Sequence, residues 1–465
     1  MWLSYRGTAS MKLSSLFSVS LIAFALLAAG CGSSNPAAKL PGAKVFTSAG
    51  CASCHTLKAA KAKGQIGPDL DALKPDAPTV AHQVRVGGNG MPSFQRRLSG
   101  TQISQVAAFV AAASRTTGQA ATFKPDNTTI KGCEQSKKPF CFRQAFANIA
   151  YRDGPQKALD ELATDDSRMP QVHGDCHQIS HWIGHAGLAR YHGNAAEALA
   201  HGGMTCNSGY YHGVIERSFS GLPRSEVVHK ARHLCTTPSV TKNDFLLYQC
   251  VHGLGHGLMI YSGDDLPWAL RACHKLQTSF DRVSCTGGVF MQNLDTGMIT
   301  SRYLNKRNPI YPCPIVAERD KVYCYLMVTS RINTLDGFNW KRTAGWCRKS
   351  EPGWVATCFQ SFGRDVSGAS QYHPQQTIHL CSLAGSGENE CLYGASRDYA
   401  NNYAGGKQAA VLCNVSPVRY RPRCFEGIGT ILGAIHRLGP DRKAACNEVT
   451  PARYRADCYR GAAVT

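Results

Sequence analysis

The sequence predicts an all-α protein: a small helical domain, then a disulfide-rich α-helical repeat domain of solenoid-like character. Three observations carry that expectation. Twenty-one cysteines occur in 465 residues, and eighteen of them lie from Cys133 onward. Cys250, Cys285, Cys324, Cys358, Cys391, Cys424 and Cys458 are spaced by 35, 39, 34, 33, 33 and 34 residues, a period that belongs to stacked helix pairs. Ahead of that array stands Cys51-Ala52-Ser53-Cys54-His55, followed at Ile103 to Val110 by an apolar run of helical periodicity.

The chain is too long for one small domain, and its 43% hydrophobic content supplies a sizeable core. Its formal net charge is +20, of which the first thirty residues supply only Arg6 and Lys12. No arginine-rich tract or nucleic-acid motif accompanies that charge. A basic exterior suits an anionic membrane surface or an acidic protein partner better than nucleic acid.

Residues 1–31 read as an export segment, with Met11 as a second candidate start. Met11-Lys12 gives a positive beginning and Leu16 to Ala29 an apolar stretch. Leu27-Ala28-Ala29-Gly30-Cys31 resembles a bacterial lipobox, with Ala28 where Leu is commoner. Small residues admit the cut, and the Cys31 thiol takes the lipid. A simple secretory signal or an uncleaved anchor is the alternative. Residues 32–39 form a polar tether. No later apolar run is long enough to span a bilayer, so the rest is expected outside the cytoplasm. The protein is expected to be lipid-anchored on the outer face of the cytoplasmic membrane or in the periplasm.

A C-x-x-C-H stretch can attach a c-type haem, its two thiols forming thioethers and its imidazole binding iron. A redox C-x-x-C followed by a chance His is the alternative. The neighbours favour the first reading. Gly67-Pro68-Asp69-Leu70 follows, then Gly90-Met91-Pro92-Ser93-Phe94, then Leu98-Ser99-Gly100-Thr101-Gln102 opens the last helix. In order and spacing this resembles a class I cytochrome c over about residues 40–116, within a domain set at 40–118. The resemblance implies covalent haem on Cys51 and Cys54, with His55 and Met91 as axial ligands. It also implies Pro68 in the haem pocket, and Phe46 packed on Phe109 between first and last helices. Met/His ligation raises a reduction potential. Met91 as a gap-filling core residue, or His82 as a rival ligand, are the alternatives. Lys58, Lys61 and Lys63 read as a solvated face or as a basic ring that steers an acidic redox partner.

Residues 119–132 read as a linker and 133–465 as the repeat domain. Without Cys31, Cys51 and Cys54 an even number of cysteines remains, and in an exported chain these read as disulfides. Spacing suggests Cys133–Cys141, Cys235–Cys250, Cys273–Cys285, Cys313–Cys324, Cys347–Cys358, Cys381–Cys391, Cys413–Cys424 and Cys446–Cys458. Cys176 and Cys206 are left for each other. Each unit reads as a helix ending in Cys, a loop, and a Cys opening the next helix. Closing a loop of about 11–15 residues adds roughly 3 kcal/mol. Gly recurs three places after the Cys at Gly209, Gly253, Gly288, Gly394, Gly427 and Gly461. Mid-helix Gly costs about 1 kcal/mol against Ala, which points to close helix–helix approach as compensation. The architecture is similar to cysteine-rich Sel1-like or tetratricopeptide arrays, without either family's residue signature.

Polar chemistry concentrates at 173–256. His173, His177, His181 and His185 fall every four residues, a slowly turning stripe on a helix. Gln178 stands where a zinc peptidase helix carries its glutamate base, which argues against a peptidase. His212 and His256 each lie six after a cysteine, and His252 precedes His256 by one turn. His177, His181, His212, His252 and His256 are therefore candidate ligands of a second metal, Cu, Zn or Fe. A set of structural histidines packed on Trp182, Tyr210 and Tyr211 is the alternative.

Three functions follow. The first is one-electron transfer by a lipid-anchored c-type cytochrome whose repeats dock a protein partner. The second is an oxidoreductase with a metal site among the histidines. The third is a structural scaffold carrying a haem module.

Overall fold

A computed structural model describes residues 36–464 except 65, 68, 88–90, 116–122, 137, 139, 204, 296–302, 404 and 437. The segment expected to direct export, Cys31 and Pro68 lie outside the described residues.

Pro41 opens α1 (Pro41–Ser48) at a position where its missing N–H has no helical partner to lose. Gly50, at φ 81°, then turns the chain into Cys51–Ser53. A short antiparallel ladder follows, β1 (Thr56–Leu57) against β2 (Ala62–Lys63). The Asp76 carboxylate caps α2 (Ala77–Val86) by accepting from the Thr79 N–H at 2.9 Å. A capping box starts α3 (Gly100–Arg115): the Ser99 N–H donates to Gln102 Oε1 at 2.8 Å, and the Gln102 N–H to Ser99 Oγ at 3.2 Å.

Helix α1 crosses α3 at Gly42, where a Cβ would lie 2.0 Å from the Gln105 carbonyl oxygen. That approach brings Phe46 and Phe109 edge to face with centroids 5.7 Å apart. Both rings are buried with Leu57, Val80, Val84, Ile103 and Val106. Each buried ring contributes about 1.5–3 kcal/mol.

The repeat domain is helical throughout its described residues. Its long helices are α4 (Cys141–Asp153), α5 (Pro170–Arg190), α6 (Thr205–Phe219), α7 (Asp244–Ser262) and α8 (Ser279–Asp295). They continue as α9 (Glu318–Asp336), α10 (Val355–Ala369), α11 (Glu388–Asn402), α12 (Arg421–Ile435) and α13 (Arg455–Gly461). From α4 on, each packs on the next, one unbroken core runs through them, and α7 also touches α12. The array therefore curls back on itself.

Shorter helices alternate with the long ones, and disulfides tie the two sets together. Cys235–Cys250, Cys273–Cys285, Cys347–Cys358, Cys381–Cys391, Cys413–Cys424 and Cys446–Cys458 each link the end of a short segment to a long helix. Cys313–Cys324 joins a single turn to α9. Cys133–Cys141 and Cys176–Cys206 complete the set.

Glycines set the spacing of the long helices, and they act in reciprocal pairs. A Cβ on Gly363 of α10 would lie 1.9 Å from the Cys391 carbonyl oxygen, and one on Gly394 of α11 1.9 Å from that of Gln360. Gly255 with Gly288 and Gly429 with Gly461 repeat the arrangement. The backbones touch, which explains glycine inside a helix despite its propensity cost.

The segment 119–132, expected as a linker, is described from Phe123, and from there it packs on α4. The Phe123 and Tyr151 rings lie 5.8 Å apart. Asn148 on α4 accepts from the Asp126 N–H at 3.1 Å and donates to the Asp126 carboxylate at 2.8 Å. Thr129 then caps a helix, Ile130–Glu134, that carries Cys133, the first disulfide cysteine.

The two domains meet through Arg224. Its guanidinium lies 3.5 Å from Asp76, which caps α2, and 3.3 Å from Asp265, with the Trp268 ring 5.0 Å beneath it. Beside it, Thr79 Oγ1 donates to the Tyr261 carbonyl at 3.5 Å. Among the described residues, no helix is long and apolar enough to cross a membrane.

Candidate functional site

Two sites emerge, one in each domain. In the first, the turn after Gly50 presents Cys51 and Cys54, the cysteines outside disulfides among the described residues, both partly buried. His55 follows directly; its N–H donates to the Cys51 carbonyl at 3.0 Å, and its side chain is buried. The ring lies flush against Gly67, where a Cβ would stand 2.5 Å from His55 Cε1. The Gly67 N–H returns to the Cys54 carbonyl at 2.8 Å, closing the loop around the imidazole. Met91 is half-buried against the core of the same domain. Its segment is held by Gly87, whose φ is 72° and where a Cβ would lie 2.6 Å from the Met91 carbonyl oxygen. His82 is buried on α2. Lys58, Lys61 and Lys63 are exposed.

The second site lies in the core of the repeat domain, on α5, α6 and α7. One ring nitrogen from each of His177, His181 and His212 lies within 4.8 Å of the others. His177 Nε2 faces His181 Nε2 at 3.2 Å. His256 Nε2 faces His252 Nε2 at 3.3 Å. His212 stands between the pairs, stacked on His256 with centroids 3.8 Å apart and its buried Nδ1 without a hydrogen-bond partner. The structure therefore brings together all five histidines singled out as metal candidates. His173 is not with them: it is exposed and pairs with Asp166. His185 Nε2 lies 3.4 Å from Glu216 Oε2, the oxygen that His181 also faces.

Residues that sequence reasoning passed over hold these rings in place. His181 Nδ1 lies 3.2 Å from Glu216 Oε2, and His256 Nδ1 2.9 Å from Gln292 Oε1. His177 Nδ1 donates to the Cys206 carbonyl at 2.8 Å. The available signal for Glu216 was its place four residues after His212, one turn along α6.

Burial sets the electrostatics. It lowers His177 and His252 to about 4, with neighbouring His181 and Arg364 acting in the same direction on each respectively. His212 and His256 are pushed well below the usual imidazole range by burial and then by neighbouring histidines. Burial alone would raise Glu216, but hydrogen bonds from His181 and His185 outweigh it and hold the carboxylate far below its ordinary value.

Comparison with known proteins bears on the first site. The family profile described as cytochrome C oxidase, cbb3-type, subunit III matches residues 37–110. Cytochrome c6 of a Picosynechococcus species is 40% identical over 81 residues, which are 15% of this chain and 68% of that protein. Cytochrome c6 of Limnospira maxima is 44% identical over 77 residues, 15% of this chain and 85% of that protein. No solved structure matches the chain. Through its N-terminal domain, the chain belongs to the class I cytochrome c family. A c-type haem cofactor, an electron-transfer role and a redox protein partner go with that membership.

The residues present fit that group. Two unpaired thiols three apart, an imidazole directly after them and a thioether on the same domain form the donor set of haem c. Gly67 leaves the imidazole room that any side chain would take.

Proposed function

We propose that the protein is an exported, lipid-anchored one-electron carrier with a haem domain at 40–118 and a docking array at 133–465. Cys51 and Cys54 hold the haem, His55 and Met91 ligate its iron, and Pro68 lines the pocket. When bound, the haem supplies the one-electron exchange. The chain supplies the rest. Gly67 and the Cys54 carbonyl orient the loop around His55, and the aromatic pair Phe46–Phe109 keeps the helices behind it rigid. Lys58, Lys61 and Lys63 offer an exposed basic edge to an acidic partner. Cys31 carries the lipid that keeps the protein at the membrane surface. Nine disulfides suit an oxidising compartment outside the cytoplasm.

The observation that carries this reading is the pair Cys51 and Cys54, excluded from the disulfide set and followed by a His ring seated on a glycine. The test is optical. Met91→Ala removes the sulfur–iron absorption band of the oxidised protein and keeps the covalent haem. A band unchanged in the variant sinks the Met91 assignment; an unmodified chain after expression with haem-attachment machinery sinks the cytochrome.

A second reading is favoured by the convergent nitrogens of His177, His181 and His212. Under it the repeat domain binds a transition metal and the protein is an oxidoreductase whose haem passes electrons onward. Metal analysis of the full chain decides it.

A further inference from the structure

We propose that the histidine cluster holds two transition-metal ions, one on His177, His181 and His212 and the other on His252 and His256. This rests on the reading that the cluster binds metal, and adds the number of ions and their ligands.

The argument begins with hydrogens. A neutral imidazole carries one N–H, and its other nitrogen is a bare lone pair. His177 Nδ1 faces a backbone carbonyl, that of Cys206, at 2.8 Å. His181 Nδ1 faces the Glu216 carboxylate at 3.2 Å. Oxygens of both kinds only accept, so the protons of both rings sit on Nδ1. Both Nε2 atoms are then bare, yet they point at each other from 3.2 Å.

The second pair repeats the pattern. His256 Nδ1 donates to Gln292 Oε1 at 2.9 Å, and His252 is hydrogen-bonded to the backbone of Ser284. Their Nε2 atoms face each other at 3.3 Å, and the one on His256 is bare.

Two facing lone pairs repel unless a cation lies between them. A shared proton would make an imidazolium in a buried site, where desolvation opposes charge. A metal ion meets the geometry directly. Two nitrogens bound at about 2.0–2.1 Å on a tetrahedral ion stand about 3.3 Å apart, which is the separation in both pairs. Nδ1 held by a carbonyl, a carboxylate or an amide with Nε2 turned inward is also how protein metal sites fix their histidines.

The two sites differ in charge and in number of ligands. The first has three imidazoles and the Glu216 carboxylate behind them, which offsets a divalent charge. The second has two imidazoles backed by neutral groups. It binds its ion more weakly and leaves more coordination positions open, the mark of a reactive rather than a structural ion.

The test uses the full-length, haem-loaded protein, stripped with chelator and dialysed against Zn²⁺. Zinc per haem iron is counted by plasma mass spectrometry and by native mass spectrometry. The wild type binds two, the second released first on dilution. His256→Gln retains one, and His181→Gln retains one. A single zinc in the wild type that persists in His256→Gln overturns the two-ion assignment while leaving the metal reading intact. No zinc in the wild type overturns both. If a variant fails to fold, the wild-type count alone decides between one ion and two.

Discussion

Glu216 accepts from His181 Nδ1 at 3.2 Å, and that contact determines which nitrogen of His181 faces His177. A carboxylate one helix away thus fixes a tautomer, and the tautomer fixes what the cluster can hold. Glu216→Gln keeps the shape but removes the charge. We expect metal affinity to fall about 10–100-fold, measured by competition with a zinc chelator. An unchanged affinity would show that Glu216 does not act on the ligands.

The metal-free protein has a defined pH dependence. Burial lowers His177 and His252 to about 4, against about 6.5 in an unfolded chain. Between those values the unfolded chain binds more protons. Stability is therefore fully present above pH 6.5 and is lost as pH falls toward 4, by about 1.4 kcal/mol per pH unit for each group. Urea midpoints at pH 7.5, 6 and 5 measure this. The double variant His177→Gln with His252→Gln flattens the profile, and an equally steep one contradicts the assignment.

Helix spacing in the array is tested by alanine. At Gly394 the new methyl meets the Gln360 carbonyl oxygen, so Gly394→Ala destabilises by about 1–3 kcal/mol through overpacking. Gly345 has nothing within 4 Å of its Cβ position. Gly345→Ala should therefore stabilise, by about 0.5–1 kcal/mol. Thermal melts of the two variants should move in opposite directions.

In the haem domain, Gly67→Ala places a methyl against the His55 ring. We expect lower haem incorporation, or a reduction potential displaced from wild type, with the circular dichroism of the repeat domain unchanged. Pyridine haemochrome content and a redox titration report both. Wild-type values for each would mean that the loop yields without moving the imidazole.

Arg224 joins the domains, and its loss separates them energetically. A double-mutant cycle of Arg224→Ala with Asp76→Asn should give a coupling of about 1 kcal/mol, since both side chains are mostly buried. Hydrogen exchange in α2 should rise in Arg224→Ala. Unchanged protection there would mean that the domains are held elsewhere.

How much of this was legible in the sequence depended on distance along the chain. Cys51, Cys54 and His55 are contiguous, and each disulfide except Cys176–Cys206 spans 15 residues or fewer. Local spacing was enough for both. The pairs His177/His181 and His252/His256 were legible as single helical turns. That His212 falls between them follows from α6 packing between α5 and α7, and its register six after a cysteine, shared with His256, was the local signal. His173 shared the four-residue rhythm but not the site, because four residues overshoot a full turn by about 40° each time. The polar composition of 125–129 suggested a linker. The Asp126–Asn148 contact that binds it to α4 joins residues far apart in sequence.

The short reach of the disulfides has a consequence for how the molecule is made. Under the proposed export the chain emerges from one end, and its crosslinks form as cysteines meet. Here nearly every partner follows within a few turns of chain, so each bond can be made before the next repeat appears. Apart from Cys176–Cys206, no bond needs a cysteine kept reduced for more than 15 residues of chain. Cys51 and Cys54 come out ahead of the eighteen disulfide cysteines, so their thiols can be claimed by haem before any of those is present. The order of residues is thus also an order of assembly, in which the redox-active end is finished first and the scaffold closes behind it one staple at a time.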